Sequence, residues 1–99
     1  MRLRFAPEAR AEIRETRGYY LAAGPDRARA FSAEVRRALA RLQRHPESGA
    51  PYEAGTRRAL LDTFPYAVVY DYAGPEEGII VVAIAHHRRQ PGYWRPRLR

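Results

Sequence analysis

The residues with the clearest chemical potential lie together at the end of the chain. Residues 86–99 read HHRRQPGYWRPRLR and hold five arginines, two histidines, a tyrosine and the only tryptophan. Arginine can clamp an anion with two parallel hydrogen bonds, and histidine can carry a proton near neutral pH. The segment has no acidic residue and directly follows the most hydrophobic run, Ile79 to Ala85. We therefore predict that this segment leaves the end of a buried strand and binds a polyanion.

Two further arginines, Arg57 and Arg58, open an earlier strand-like run. Neighbouring strand residues point to opposite faces of a sheet. One of the two should therefore face the helices or their rim, and the other should face the open side of the sheet. The alternative for both is a solvated strand end without a functional role.

The run His86, His87, Arg88 and Arg89 offers two possible His/Arg pairs. If strand geometry persists through it, the first and third residues share one side, and the second and fourth share the other. One pair would then meet Arg57 or Arg58 on the open face and form an anionic pocket, where histidine moves protons and arginine stabilises charge on phosphorus. The alternative is again a solvated strand end.

The aromatic residues Tyr93 and Trp94 have two possible roles. They could stack on nucleobases, or they could fold back onto the sheet, because residues 90–92 (QPG) would turn the chain. We predict packing for Trp94, while Tyr93 remains a candidate for acid/base chemistry. All 18 basic residues are arginine, and the guanidinium group is a very poor base. Any proton transfer would therefore fall to histidine, tyrosine or a carboxylate.

The composition excludes several other classes of site and location. The chain has no cysteine, so it can form no disulfide or thiolate metal site, and its adjacent histidines diverge. We predict no metal and no cofactor. The longest apolar run is about a third of the roughly 20 residues that span a bilayer, and no signal peptide is visible. We expect a cytoplasmic protein with no membrane partner. Its net charge of +7 predicts that it binds an anionic partner.

The candidate residues must be positioned by a small α+β fold. Alternation at Leu3 and Phe5 predicts a first strand, and Pro7 suits the first turn of a helix that Gly24-Pro25 ends. A second helix begins at Pro25 or Asp26 and stops at Pro46. The short link predicts an antiparallel helical hairpin.

Three strand-like runs follow a loop at residues 45–56: residues 57–62, 66–72 and 79–86. The turn composition of residues 73–78 joins the last two as a hairpin. The order predicts one domain, residues 1–99, in which the helical hairpin packs on one face of a mainly antiparallel β-α-α-β-β-β sheet with a basic C-terminal tail. The tyrosines of residues 66–72 share one face, which we interpret as core or interface.

Two stretches, GTRRALLDTFPYAVVYDY and IIVVAIAHHRRQPGYWRPR, resemble the RelE/ParE superfamily of toxins from type II toxin–antitoxin systems, also known as plasmid stabilisation proteins. The likeness covers nearly the whole chain, and its specificity lies in the order and spacing of the motifs. The matching positions are Phe31 in the second helix, Arg57 at the strand start, Phe64, Pro65, Tyr66 and Tyr70 in the next strand, and His86, Arg89, Pro91 and Trp94 at the exit.

The resemblance implies a small basic toxin that inhibits growth and is neutralised by a cognate antitoxin, which also supplies any binding to operator DNA. ParE-like members poison DNA gyrase and are not nucleases; we favour this target. RelE-like members cut mRNA in the ribosome, and this alternative would make the chain an enzyme. A third alternative, outside toxicity, is a basic nucleic-acid-binding module.

The candidate residues differ between the two toxin readings. The nuclease reading requires a catalytic set, which comprises His86, His87, Arg57, Arg89 and Tyr93. The residues that we expect to bind the target or a phosphate are Arg57, Arg58, Arg88, Arg89 and Arg95.

Overall fold

The computed structural model describes residues 1–98. Its two long helices are α1 (Pro7–Ala23) and α2 (Pro25–Arg44). Each begins with a proline, which lacks the N–H group that the first turn leaves unpaired. Gly24 joins the helices with φ 142°, and its N–H donates to the carbonyls of Tyr20 and Leu21. The predicted helical hairpin is confirmed. No helix within residues 1–98 has the length and apolar character needed to cross a bilayer.

Five strands form one sheet in the order β1-β5-β4-β3-β2. They are β1 (Leu3–Phe5), β2 (Ala50–Pro51), β3 (Arg57–Leu60), β4 (Tyr66–Tyr72) and β5 (Ile79–His86). The neighbours are antiparallel except for β1, which runs parallel to β5 after the helical hairpin has crossed over. The predicted α+β class and mainly antiparallel sheet are confirmed.

Two details of the sheet differ from the sequence prediction. The predicted loop 45–56 contains the short strand β2, because Ala50 and Pro51 pair with Arg58 and Arg57. Strand β3 ends at Leu60, two residues earlier than predicted. There the chain turns, and the Glu34 carboxylate of α2 accepts the N–H of Thr63 at 2.9 Å. The first difference arises from pairing with residues six to eight positions along the chain, and the second from a partner in α2 that is 29 residues away.

The main core lies between the helices and one face of the sheet. Phe31 and Leu42 from α2 pack there with Val68 of β4 and Val81 of β5, and all four are fully buried. The tyrosines of β4 lie on this face, as predicted; they are Tyr66, Tyr70 and Tyr72. The opposite face of the sheet is therefore left for the C-terminal segment.

A β-bulge in β5 changes the surface of that opposite face. Val69 pairs with Ala83, but the next residue, Tyr70, pairs with Val81, so Val82 has no partner on β4. The extra residue places both Val82 and Ala83 in a small apolar cluster on the open face, which also contains Val69 and Trp94. The bulge thus widens the small apolar platform on which the C-terminal segment packs.

Replacing Tyr70 with phenylalanine should lower the free energy of unfolding by about 1–3 kcal/mol, because a buried donor and a buried acceptor would lose their partner. The Tyr70 hydroxyl donates to the Pro46 carbonyl at 2.8 Å and accepts the Gly49 N–H at 2.9 Å. Urea denaturation measures the loss. Tyr72→Phe, on the same strand but half-buried, is the control and should change stability by less than about 0.5 kcal/mol.

Candidate functional site

The C-terminal segment, residues 87–98, folds back across the open face of the sheet. Trp94 fixes it there: the indole is 1% exposed and packs with Val69, Val82 and Ala83. The segment consists of consecutive turns, in which the N–H groups of Arg95 and Arg97 donate to carbonyls three residues earlier. The predicted packing role of Trp94 is confirmed. Arg99, the last of the five arginines, lies outside the described residues.

One of these turns requires glycine. Gly92 has φ 77°, a left-handed conformation that other residues adopt at a cost. A Cβ atom at this position would also lie 2.9 Å from Arg95 Nε and 3.0 Å from Glu53 Oε1. The predicted turn at residues 90–92 therefore depends on Gly92 both for its backbone conformation and for its close approach to an ion pair.

A pocket of about 130 Å³ opens between this segment and the sheet. Its cationic, histidine and aromatic wall residues are Tyr52, Arg58, His86, His87, Arg89, Tyr93 and Trp94. Residues from β3, the end of β5 and the tail thus meet at one place. We call this feature the open-face pocket.

Two arginines are held over aromatic rings at the open-face pocket. The guanidinium carbon of Arg58 lies 4.4 Å from the ring centre of Tyr52, and that of Arg89 lies 3.8 Å from the ring centre of Tyr93. Within residues 1–98, neither arginine has a carboxylate within 4.0 Å. Stacking orients each guanidinium, while its N–H groups remain able to bind an anion.

Arg57 lies on the other side of the sheet. Its guanidinium donates to the carbonyls of Glu47 and Gly49 at 2.9 and 2.8 Å, and it lies 3.8 Å from the Glu47 carboxylate. The prediction that Arg57 and Arg58 face opposite sides is confirmed. Arg57 is not brought to the open-face pocket; it stabilises the loop before β2.

The two histidines do not continue the strand alternation. Strand β5 ends at His86, whose ring packs edge-on against Tyr66 at 5.0 Å. The N–H of Arg88 donates to Nδ1 of His86 at 3.0 Å, so the chain turns there. His87 and Arg88 are exposed. The turn interrupts the alternation of sides from which the His/Arg pairing was predicted, but both histidines still line the open-face pocket with Arg58 and Arg89.

The hydroxyl of Tyr93 already has a hydrogen-bond partner. It donates to the Glu12 carboxylate at 2.6 Å, and the ring lies between Arg89 and Arg97. Burial, and then the hydrogen bond to Glu12, raise the pKa of Tyr93 well above its ordinary value. In this arrangement the phenol does not serve as a base near neutral pH.

Arg95 points to the rim of the open face. It forms an ion pair with Glu53 at 2.9 Å and is about half exposed. Glu53 and Tyr52 were not among the predicted site residues, because they lie in a segment with the composition of a loop. Glu12 was not predicted either, because nothing in the sequence distinguishes it from the other carboxylates of α1.

The arrangement brings two arginines that can bind anionic groups together with two histidines that could transfer protons. Arg58 and Arg89 gather at the open-face pocket, whereas the hydroxyl of Tyr93 and one ring nitrogen of His86 are engaged in structural hydrogen bonds. Within residues 1–98, no group of three or more His, Asp or Glu side chains is placed to hold a metal ion.

Comparison with known proteins places the chain in a family. Residues 3–91 match the family model described as the ParE toxin of the type II toxin–antitoxin system parDE. A solved structure, "Chromosomal ParDE TA system from P. aeruginosa", has the same fold with a TM-score of 0.74 and 23% sequence identity, covering 87% of this chain and 95% of that one. Comparison with the curated proteins gave no match. The predicted superfamily is confirmed, and the chain belongs to the ParE toxin family of type II toxin–antitoxin systems.

Proposed function

We propose that this toxin inhibits growth by poisoning DNA gyrase and that it contacts gyrase through the open face of its sheet. The contact residues are Arg58 and Arg89, which line the open-face pocket, the exposed Arg88 beside Arg89 in the chain, and Arg95, which pairs with Glu53. The activity belongs to a single domain, which spans residues 1–99.

The observation that carries the proposal is the contrast between arginines and proton-transfer groups at the site. Arg58 and Arg89 are stacked and have no carboxylate partner within residues 1–98, which suits a binding surface for acidic side chains or phosphates. A nuclease would need Tyr93 or a histidine to transfer protons, together with an arginine beside the phosphate. Tyr93 is bound to Glu12, one ring nitrogen of His86 accepts the N–H of Arg88, and Arg57 lies on the other side of the sheet. A nuclease would therefore have to rely on the exposed His87 together with Arg58 or Arg89.

The test is a pair of assays on the purified protein. We expect it to inhibit supercoiling by purified gyrase and to leave mRNA intact in the presence of ribosomes. Cleavage of mRNA only when ribosomes are present, without any effect on supercoiling, would instead establish the RelE-like alternative. Normal growth of cells that strongly express the folded protein alone would oppose both toxin readings.

We further propose that the cognate antitoxin neutralises the toxin by binding a groove between α2 and the end of β3. The groove has a volume of about 390 Å³ and an apolar floor that includes Ala38 and Leu61. Three arginines of α2 line it: Arg37, Arg41 and Arg44. Leu60 stands beside them with 51% of its surface exposed. An acidic segment with apolar anchors would complement both the charge and the exposed leucine.

The double variant Arg37→Glu/Arg41→Glu should weaken antitoxin binding about 10- to 100-fold, because two attractive charges become repulsive. Isothermal titration with the antitoxin encoded beside the toxin gene measures the change. The matched control is Arg14→Glu/Arg17→Glu, which makes the same charge change at exposed positions of α1. Equal affinities of the two double variants would place the antitoxin elsewhere.

A further inference from the structure

A mostly buried carboxylate on α1, that of Glu12, contacts the C-terminal segment. The Glu12 side chain is 13% exposed and accepts a hydrogen bond from the Tyr93 hydroxyl at 2.6 Å. The guanidinium of Arg97 donates to both of its oxygens, at 2.9 and 3.0 Å. The N–H of Ile84 donates to it at 3.0 Å. One carboxylate thus joins a helix, a strand and two residues of the tail.

The position of Glu12 follows from the shortness of β1. Strand β1 pairs with β5 only as far as Phe5 and Val81, so the rest of this edge of β5 has no neighbouring strand. Glu12 accepts the edge N–H of Ile84, and Arg97 donates to the edge carbonyl of Val82 at 3.0 Å. The ion pair therefore stands where a longer β1 would pair with the sheet.

At this edge of β5, side chains from the two faces of the sheet contact each other. Helix α1 packs on one face, and Tyr93 and Trp94 belong to the cluster on the other. The Tyr93 ring, anchored by Glu12 through its hydroxyl, is the surface on which Arg89 stacks at 3.8 Å. A chain of direct contacts therefore connects Glu12 to an arginine of the open-face pocket.

We infer that Glu12 is a positioning residue for target binding: it docks the C-terminal segment and thereby orients Arg89 at the open-face pocket. The inference rests on the proposed function, because it takes the open face as the target-binding surface. Glu12 itself does not contact the target. Its role is to fix, through Tyr93 and Arg97, the part of the tail that does.

The test compares Glu12→Gln with Glu15→Gln, an exposed glutamate on the same helix. Glutamine preserves the size of the side chain but removes the charge that Arg97 requires. We expect trypsin to cut the Arg89–Gln90 bond about tenfold faster in Glu12→Gln, because docking protects this bond. Cutting at Arg17–Gly18, within α1, should not accelerate, which separates local undocking from global unfolding.

Two functional measurements complete the test. Glu12→Gln should require about tenfold more protein for half-inhibition of gyrase supercoiling, while its affinity for the cognate antitoxin should stay within about twofold of wild type, because the α2 groove is remote from the tail. Should Glu12→Gln fail to fold, Tyr93→Phe removes only the phenolic hydrogen bond. It is expected to shift trypsin cleavage and gyrase inhibition in the same direction by a smaller factor.

The outcomes separate this inference from the proposed function. Cleavage at Arg89–Gln90 no faster than in Glu15→Gln would overturn the docking role of Glu12, whatever the target. Faster cleavage with undiminished gyrase inhibition would retain the docking role of Glu12 but overturn its role in target binding. It would also contradict the proposal that the tail contacts gyrase. If the wild-type protein leaves gyrase unaffected, the proteolysis still decides whether Glu12 docks the segment.

Discussion

Replacing Trp94 with alanine is expected to lower the free energy of unfolding by about 3–5 kcal/mol, the usual cost of truncating a fully buried aromatic residue. Only 1% of its surface is exposed, and it is the largest fully buried side chain among the described residues. Its removal would leave a cavity above Val82 and Ala83 and detach the main apolar contact of the tail. In a domain of this size, the loss corresponds to a fall in melting temperature of at least about 12 °C.

Urea denaturation followed by circular dichroism provides the measurement. The control is Tyr19→Ala, because the Tyr19 side chain is 70% exposed and its truncation should cost less than about 0.5 kcal/mol. A loss below about 1 kcal/mol for Trp94→Ala would mean that the segment does not pack on the open face as described.

The second large effect is expected from reversing the charges at the open-face pocket. Arg58→Glu/Arg89→Glu should raise the protein concentration needed for half-inhibition of gyrase by about 100-fold or more, since arginines at the centre of an interface commonly contribute about 2 kcal/mol each. The fold should survive, because each stacking contact contributes only about 0.5–1 kcal/mol at a partly exposed site.

The control for this variant is again Arg14→Glu/Arg17→Glu, which has the same net charge and leaves the open face intact. A similar loss of inhibition in both double variants would indicate that only the overall positive charge matters. Undiminished inhibition by Arg58→Glu/Arg89→Glu would remove the open-face pocket from the target-binding surface.

Local signals in the sequence were sufficient for the two helices and the two long strands of the fold. Prolines 7 and 25 and Gly24 define the helix boundaries, and the apolar runs of β4 and β5 are long enough to predict both strands at their observed bounds. The parity of the tyrosines on β4 also predicted that they share one face, in the core or at an interface, and they lie in the core. Each of these features depends on neighbours within a few residues, which is why the pattern reveals it.

The candidate site was less predictable because its contacts span the chain. Strand parity predicted that one of Arg57 and Arg58 would reach the open face, without identifying which one. Nothing near His86 indicated that its Nδ1 would accept the N–H of Arg88 and end the alternation. The role of Glu12 depends on partners 72 to 85 residues away. Such long-range hydrogen bonds leave almost no trace in spacing or composition.

The most direct test of the central claim is inhibition of gyrase supercoiling by the purified wild-type protein and by the variant His86→Ala/His87→Ala. A binding surface made of arginines predicts that both proteins inhibit supercoiling with half-inhibitory concentrations within about threefold of each other. Loss of toxicity in the histidine variant, together with ribosome-dependent cleavage of mRNA by the wild type and no effect on supercoiling, would contradict the claim.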